Sequence, residues 1–135
     1  MTLTEARNEM LALVKTAWDT TTFEMQWEDR PFIKPVANTP WARTTVRHAD
    51  GGQATLCDSV CRWNRVGTLF VQIFCPSGEG SSRGYGLAQT VMNALEGAKT
   101  AGGVWFRNTR IREIGPDGDW FQINVLTDFN YDEIK

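Results

Sequence analysis

Val60-Cys61-Arg62-Trp63-Asn64-Arg65-Val66-Gly67-Thr68-Leu69-Phe70-Val71-Gln72-Ile73-Phe74-Cys75 is the stretch that decides the fold class. In its second half Leu69, Val71 and Ile73 alternate with Phe70, Gln72 and Phe74. A period of two puts these sets on opposite faces of a β-strand. The run is long for a strand, and Gly67 at its middle predicts a bulge or bend. Large apolar residues on both faces imply that both faces are covered. One cover is a helix; the other is a second sheet layer or another subunit.

Downstream, Pro76-Ser77-Gly78-Glu79-Gly80 ends the strand in a glycine-rich turn, and Ser81 or Ser82 can cap a helix. Its apolar stripe is Leu87, Val91, Ala94, Leu95 and Ala98, with Gly102 and Gly103 closing it. Residues 104–114 and 119–129 then read as a hairpin about Gly115-Pro116-Asp117-Gly118, followed by a short acidic tail. In the second strand Phe121, Ile123, Val125 and Phe129 share one face, and Gln122, Asn124, Leu126 and Asp128 the other.

Upstream, residues 2–18 predict an amphipathic helix. Thr2 and Glu5 have capping-box spacing, and Leu3, Ala6, Met10, Leu13, Val14, Ala17 and Trp18 fall on one face. Residues 23–28 predict a short strand. Pro31, Pro35 and Pro40 exclude a regular helix or a central strand over about 29–40, which reads as an extended arm or long loop. Residues 41–47 and 53–58 read as two strands about Asp50-Gly51-Gly52. The expected fold is α+β in one domain spanning 1–135. It is a mainly antiparallel sheet with two helices on one face, in the order α-β-β-β-β-α-β-β.

The chain has 135 residues, enough to bury one core without disulfides or metals. Its net charge of −2 argues against a dedicated nucleic-acid binder and against a polybasic membrane-surface protein. No apolar run approaches the ~20 residues of a membrane span, and the N-terminus lacks the apolar region of a signal peptide. Cysteines Cys57, Cys61 and Cys75 are odd in number, which fits free thiols in a reducing compartment. The six tryptophans are too many for one small core, so some are expected at a partner.

No motif reaches catalytic grade. The loop from Gly78 to Gly86 sits where a phosphate-binding loop would, between strand and helix. It contains no lysine, and Arg83 stands where the dinucleotide pattern requires glycine. It reads as a tight turn. His48 is the single histidine, and no Gly-x-Ser-x-Gly elbow accompanies it. No Cys-x-x-Cys pair suggests zinc. No catalytic, cofactor or metal site is expected, and the chain reads as an interaction protein rather than an enzyme.

The segment from Arg65 to Gly80 has the form R-x-G-x-L-x-V-Q-I-F-x-P-x-G-x-G before a helix. It resembles small phage proteins of the tail-terminator and tail-completion family. Asn38-Thr39-Pro40-Trp41-Ala42-Arg43 and the closing Asp128-Phe129-Asn130-Tyr131-Asp132 are also similar. The resemblance implies a structural virion protein of the tail or neck, assembled in the host cytoplasm. It implies a homohexameric ring at the head-proximal end of the tail that caps the tube protein and meets the head connector. DNA passes through such a ring without specific binding; no membrane is involved. Trp41, Phe70, Gln72 and Phe74 are then expected at or near subunit contacts. Gly67, Pro76, Gly78 and Gly80 set backbone geometry. Arg107, Arg110 and Arg112 are candidates for a lumen or partner face, with Arg110 and Arg112 on one side of their strand and Arg107 on the other. The alternatives are another neck protein, such as a head-closure or tail-completion factor, or a small anion- or nucleotide-binding domain using the loop at 76–86.

Overall fold

Thr2 and Glu5 form the reciprocal cap that their spacing predicts. The Thr2 amide donates to Glu5 Oε2 at 2.8 Å, and the Glu5 amide donates to Thr2 Oγ1 at 3.2 Å. They start helix α1, Leu3–Trp18. The computed structural model describes residues 1–28, 39–78 and 81–135, with Asp117 by its backbone alone. The expected arm at 29–40 therefore lies outside the described residues except for Thr39 and Pro40. After α1 come β1 (Glu24–Gln26), β2 (Trp41–Gln53), β3 (Arg62–Pro76), α2 (Ser82–Leu95), β4 (Trp105–Asp117) and β5 (Trp120–Ile134).

The five strands make one sheet in the order β1-β2-β3-β5-β4. Only the short β1–β2 pair is parallel. The fold class is thus α+β with a mainly antiparallel sheet and two helices. The strand deduced from residues 60–75 is its centre, paired along its length with both β2 and β5.

Both helices pack on the face of β3 that carries Leu69, Val71, Ile73 and Cys75. Ala6, Met10, Val14 and Trp18 of α1 and Leu87, Ala88, Val91 and Leu95 of α2 join them in one core. Ile123, Val125, Phe129 and Tyr131 supply the β5 share. Each fully buried large aliphatic or aromatic side chain contributes roughly 1.5–3 kcal/mol, so this face carries most of the stability. Trp18 also satisfies its own polar group, donating from Nε1 to the Phe23 carbonyl at 2.9 Å. That bond fixes the turn between α1 and β1.

Several local expectations are corrected. Asp50-Gly51-Gly52 does not reverse the chain: β2 runs straight through to Gln53, and the reversal lies between Gln53 and Arg62. The segments 41–47 and 53–58 are thus not two strands. A partner strand long enough to pair with both ends of β2 keeps the glycines extended. The irregularity attributed to Gly67 sits opposite it, where β2 has an extra residue between His48 and Asp50. α2 ends at Leu95 rather than at Gly102, because Gly97 adopts φ 71°, a left-handed conformation that stops a helix. The last strand does not end at 129, since Asn130–Ile134, read as a short acidic tail, continues β5 along the start of β3. Cys57 and Cys61 are joined in a disulfide, their Cα atoms 5.3 Å apart. Free burial holds only for Cys75.

Candidate functional site: the open face of the sheet

Side chains directly opposite one another in an antiparallel pair lie on the same face. The register therefore maps the side of the sheet that faces away from the helices. One row reads Trp41, Phe74, Gln122 and Gly115 across β2, β3, β5 and β4. The next three rows read Arg43, Gln72, Asn124, Arg112; then Thr45, Phe70, Leu126, Arg110; then Arg47, Thr68, Asp128, Arg107.

All seven partner-contact candidates from the sequence thus fall on one surface. Arg107 is there against expectation. Plain alternation puts Arg107 and Arg110 on opposite faces. In β4, however, Asn108 and Thr109 together oppose the single Thr127, a β-bulge. Asn108 adopts φ 55°, which asparagine tolerates better than most residues. The extra residue restores parity, so Arg107, Arg110 and Arg112 project together. Asn108 Nδ2 donates to Asp128 Oδ2 at 3.3 Å, and Thr109 and Thr127 hydroxyls meet at 2.8 Å, which pins the bulge from both sides of the sheet.

One end of the surface is aromatic. Trp41 stacks on Phe74 with centroids 4.3 Å apart, and Trp120 meets Trp41 edge-on at 6.2 Å. These three rings form a small cluster separate from the main core. Trp41 and Phe74 are 5% and 7% exposed, so they shape the surface more than they present themselves. Phe70 and Gln72 are half-buried and reach the surface. Arg43 lies over the Phe74 ring at 5.5 Å and donates from Nε to Gln72 Oε1 at 2.7 Å.

Asp128 is the single carboxylate in the three arginine rows. Burial alone would raise its pKa. Donation from Asn108 and Thr68, together with the Arg110 guanidinium 3.4 Å away, outweighs burial and holds the carboxyl below its ordinary value. It stays ionised and engaged by its own chain. Arg43, Arg47, Arg107 and Arg112 make no ion pair among the described residues.

The remaining candidates have geometric roles. Gly67 lies beneath the Phe129 ring in the helix-side core. Pro76 ends β3 opposite Trp120, and Gly78 turns the chain away with φ 88°. Gly80 lies outside the described residues. His48 is on the helix side, its Nε2 2.7 Å from the Tyr131 hydroxyl and its ring edge against Phe129. Burial, then the nearby Arg65, lowers its pKa against the opposing pull of Glu28, so the ring packs as neutral imidazole at neutral pH. Among the described residues no three His, Cys, Asp or Glu side chains gather as they would around a metal.

Sequence reasoning missed Arg43, Arg47 and Trp120 as members of this surface. The first two were within reach, because Trp41, Arg43, Thr45 and Arg47 alternate with residues facing the core. The bulge at Asn108 had no comparable signal.

The sheet is thus sealed on one side by its own helices and polar, cationic and aromatic on the other. The family model described as phage tail terminator protein matches residues 6–128, and the chain belongs to that family. It is a structural family of the virion tail, not known to be enzymatic. One solved chain, 15% identical, superposes with a TM-score of 0.73 over 96% of this chain and 95% of its own length. A chain of the virion of a native gene transfer agent particle is 17% identical, with a TM-score of 0.52 over 90% of this chain and 86% of that one. At these identities the two share the fold. No curated protein matches the sequence.

Proposed function

We propose that the chain closes into a homohexameric ring at the head-proximal end of the phage tail, stops tube polymerisation there and joins the tail to the head connector. The family match over residues 6–128 is the observation that carries this reading. Similarity to a chain from a gene transfer agent virion supports it. Ending a polymer requires one surface complementary to the last tube ring and another that cannot template a further ring. A closed ring also needs a heterologous interface, in which two different surfaces of one chain meet. The open face of the sheet suits one such contact, since the chain's own helices are spent on the opposite side. In this reading the aromatic end around Trp41 and Phe74 borders the subunit contact. Gln72 and Phe70 lie one and two rows further along the same face, near that contact, and Arg107, Arg110 and Arg112 look onto what the ring meets or encloses. DNA passes through without sequence-specific contacts.

Partner choice tests the assignment. Immobilised chain is expected to retain tail tube protein from a lysate of assembling phage, and connector protein only as a second partner. Retention of connector alone would make it a head-closure factor instead.

A further inference from the structure

We infer that the three central rows of the open face form a trough for the phosphate backbone of double-stranded DNA. Arg43 and Arg47 stand on β2; Arg107, Arg110 and Arg112 stand on β4. Between them run β3 and β5, whose side chains in these rows are Gln72 and Asn124, Phe70 and Leu126, and Thr68 and Asp128. At ~4.8 Å between neighbouring strands, the two arginine rails are roughly 14 Å apart at the backbone.

Charge complementarity identifies the occupant. Five guanidinium groups face one carboxylate, and that carboxylate is already held by Asn108, Thr68 and Arg110. The chain as a whole carries a net −2, so cations are concentrated here rather than spread evenly. Every cation in these rows is arginine, whose planar fork suits phosphate oxygens. Protein partners are usually gripped by exposed aromatic or aliphatic anchors. Within the rows Leu126 is buried and Phe70 half-buried; the next row of the same face brings Asp50 on β2 and, on β4, Trp105, an exposed ring covered by the Arg107 guanidinium 5.5 Å from its centroid. A polar, arginine-railed channel with a single exposed ring at its margin fits a polyanion with one charge per about 1.7 Å of axis. Contacts of this kind position the duplex without reading its sequence.

This inference rests on the ring reading, and its test separates the two. Binding of the full chain to a fluorescent duplex of arbitrary sequence is measured by anisotropy over a salt series, with ring formation on tail tubes scored in parallel. We expect sequence-independent binding whose log–log salt slope is about −0.9 per phosphate contacted. Combined Arg47→Gln, Arg107→Gln and Arg112→Gln is expected to lower affinity at least about ten-fold and to flatten the slope by about 3. A control with Lys15→Gln, Arg83→Gln and Lys99→Gln makes the same change in net charge away from the face, and should lose less than about three-fold through screened, distant charge. Equal losses in both variants would overturn the trough. Rings without DNA binding would overturn it and leave the ring reading standing; neither rings nor DNA binding would overturn both. If the face variant loses tube or connector protein but keeps its DNA affinity, the trough belongs to an acidic protein and the inference fails.

Discussion

Gly67→Ala is expected to destabilise the protein by about 3 kcal/mol, the upper part of the range for overpacking a core. Strand propensity alone gives the opposite sign, because alanine is favoured over glycine within an element by roughly 0.5–1 kcal/mol. Geometry decides between them. A Cβ on Gly67 would overlap the Arg47 carbonyl oxygen, the Phe129 Cζ and the His48 Cα. Two of these are backbone atoms of the neighbouring strand and cannot swing aside as a side-chain tip would. The strands must part where β2 carries its extra residue, and Phe129 must leave its place against His48. Urea denaturation should show a large fall in midpoint with little change in slope. Adding Phe129→Leu should recover only part of the loss, since the Arg47 carbonyl remains. A Gly67→Ala protein as stable as the parent would mean that this close approach is not present in solution.

The second large effect is expected at Trp18. The residue is 2% exposed, at the end of α1, and its indole donates to the Phe23 carbonyl. Trp18→Ala should cost about 3–5 kcal/mol through the cavity it leaves. Trp18→Phe keeps much of the volume and removes the donor, so it should cost about 1–2 kcal/mol, the lower part of the penalty for leaving an acceptor without its bond, because the Phe23 carbonyl is only part-buried. Thermal or urea unfolding of the two variants checks the ordering. Equal costs would locate the contribution in the hydrogen bond alone.

The central strand was legible because its alternation runs without interruption from Thr68 to Phe74, and one face is fully buried. α1 was legible from local chemistry, since both the capping box and the apolar stripe lie within the helix itself. The misread features depend on what lies across the sheet. Asp50-Gly51-Gly52 has turn composition, yet Val66, Arg65 and Asn64 pair with it and keep it extended. Nothing local to the glycines encodes that pairing. The same holds for the tail after Phe129, whose partners are Arg62 to Val66.

The site was legible in its members but not in its shape. Period-two counting found that Phe70, Gln72 and Phe74 share a face and that Arg110 and Arg112 share one. It could not bring the two sets together, because the crossing from β3 to β4 runs through β5, and strand order is not a local property. It also misplaced Arg107, since parity counting assumes a regular ladder and the bulge at Asn108 breaks it. The disulfide between Cys57 and Cys61 was missed for a related reason. An odd cysteine count says nothing about which two the β2–β3 turn brings within 5.3 Å.

Electron microscopy of the purified chain mixed with tail tubes tests the central claim most directly. Class averages of the tube ends should show one added six-fold ring at the head-proximal end only, with tubes no longer elongating when more tube protein is supplied. Bare ends with continued elongation, at chain concentrations well above that of the ends, would contradict the account.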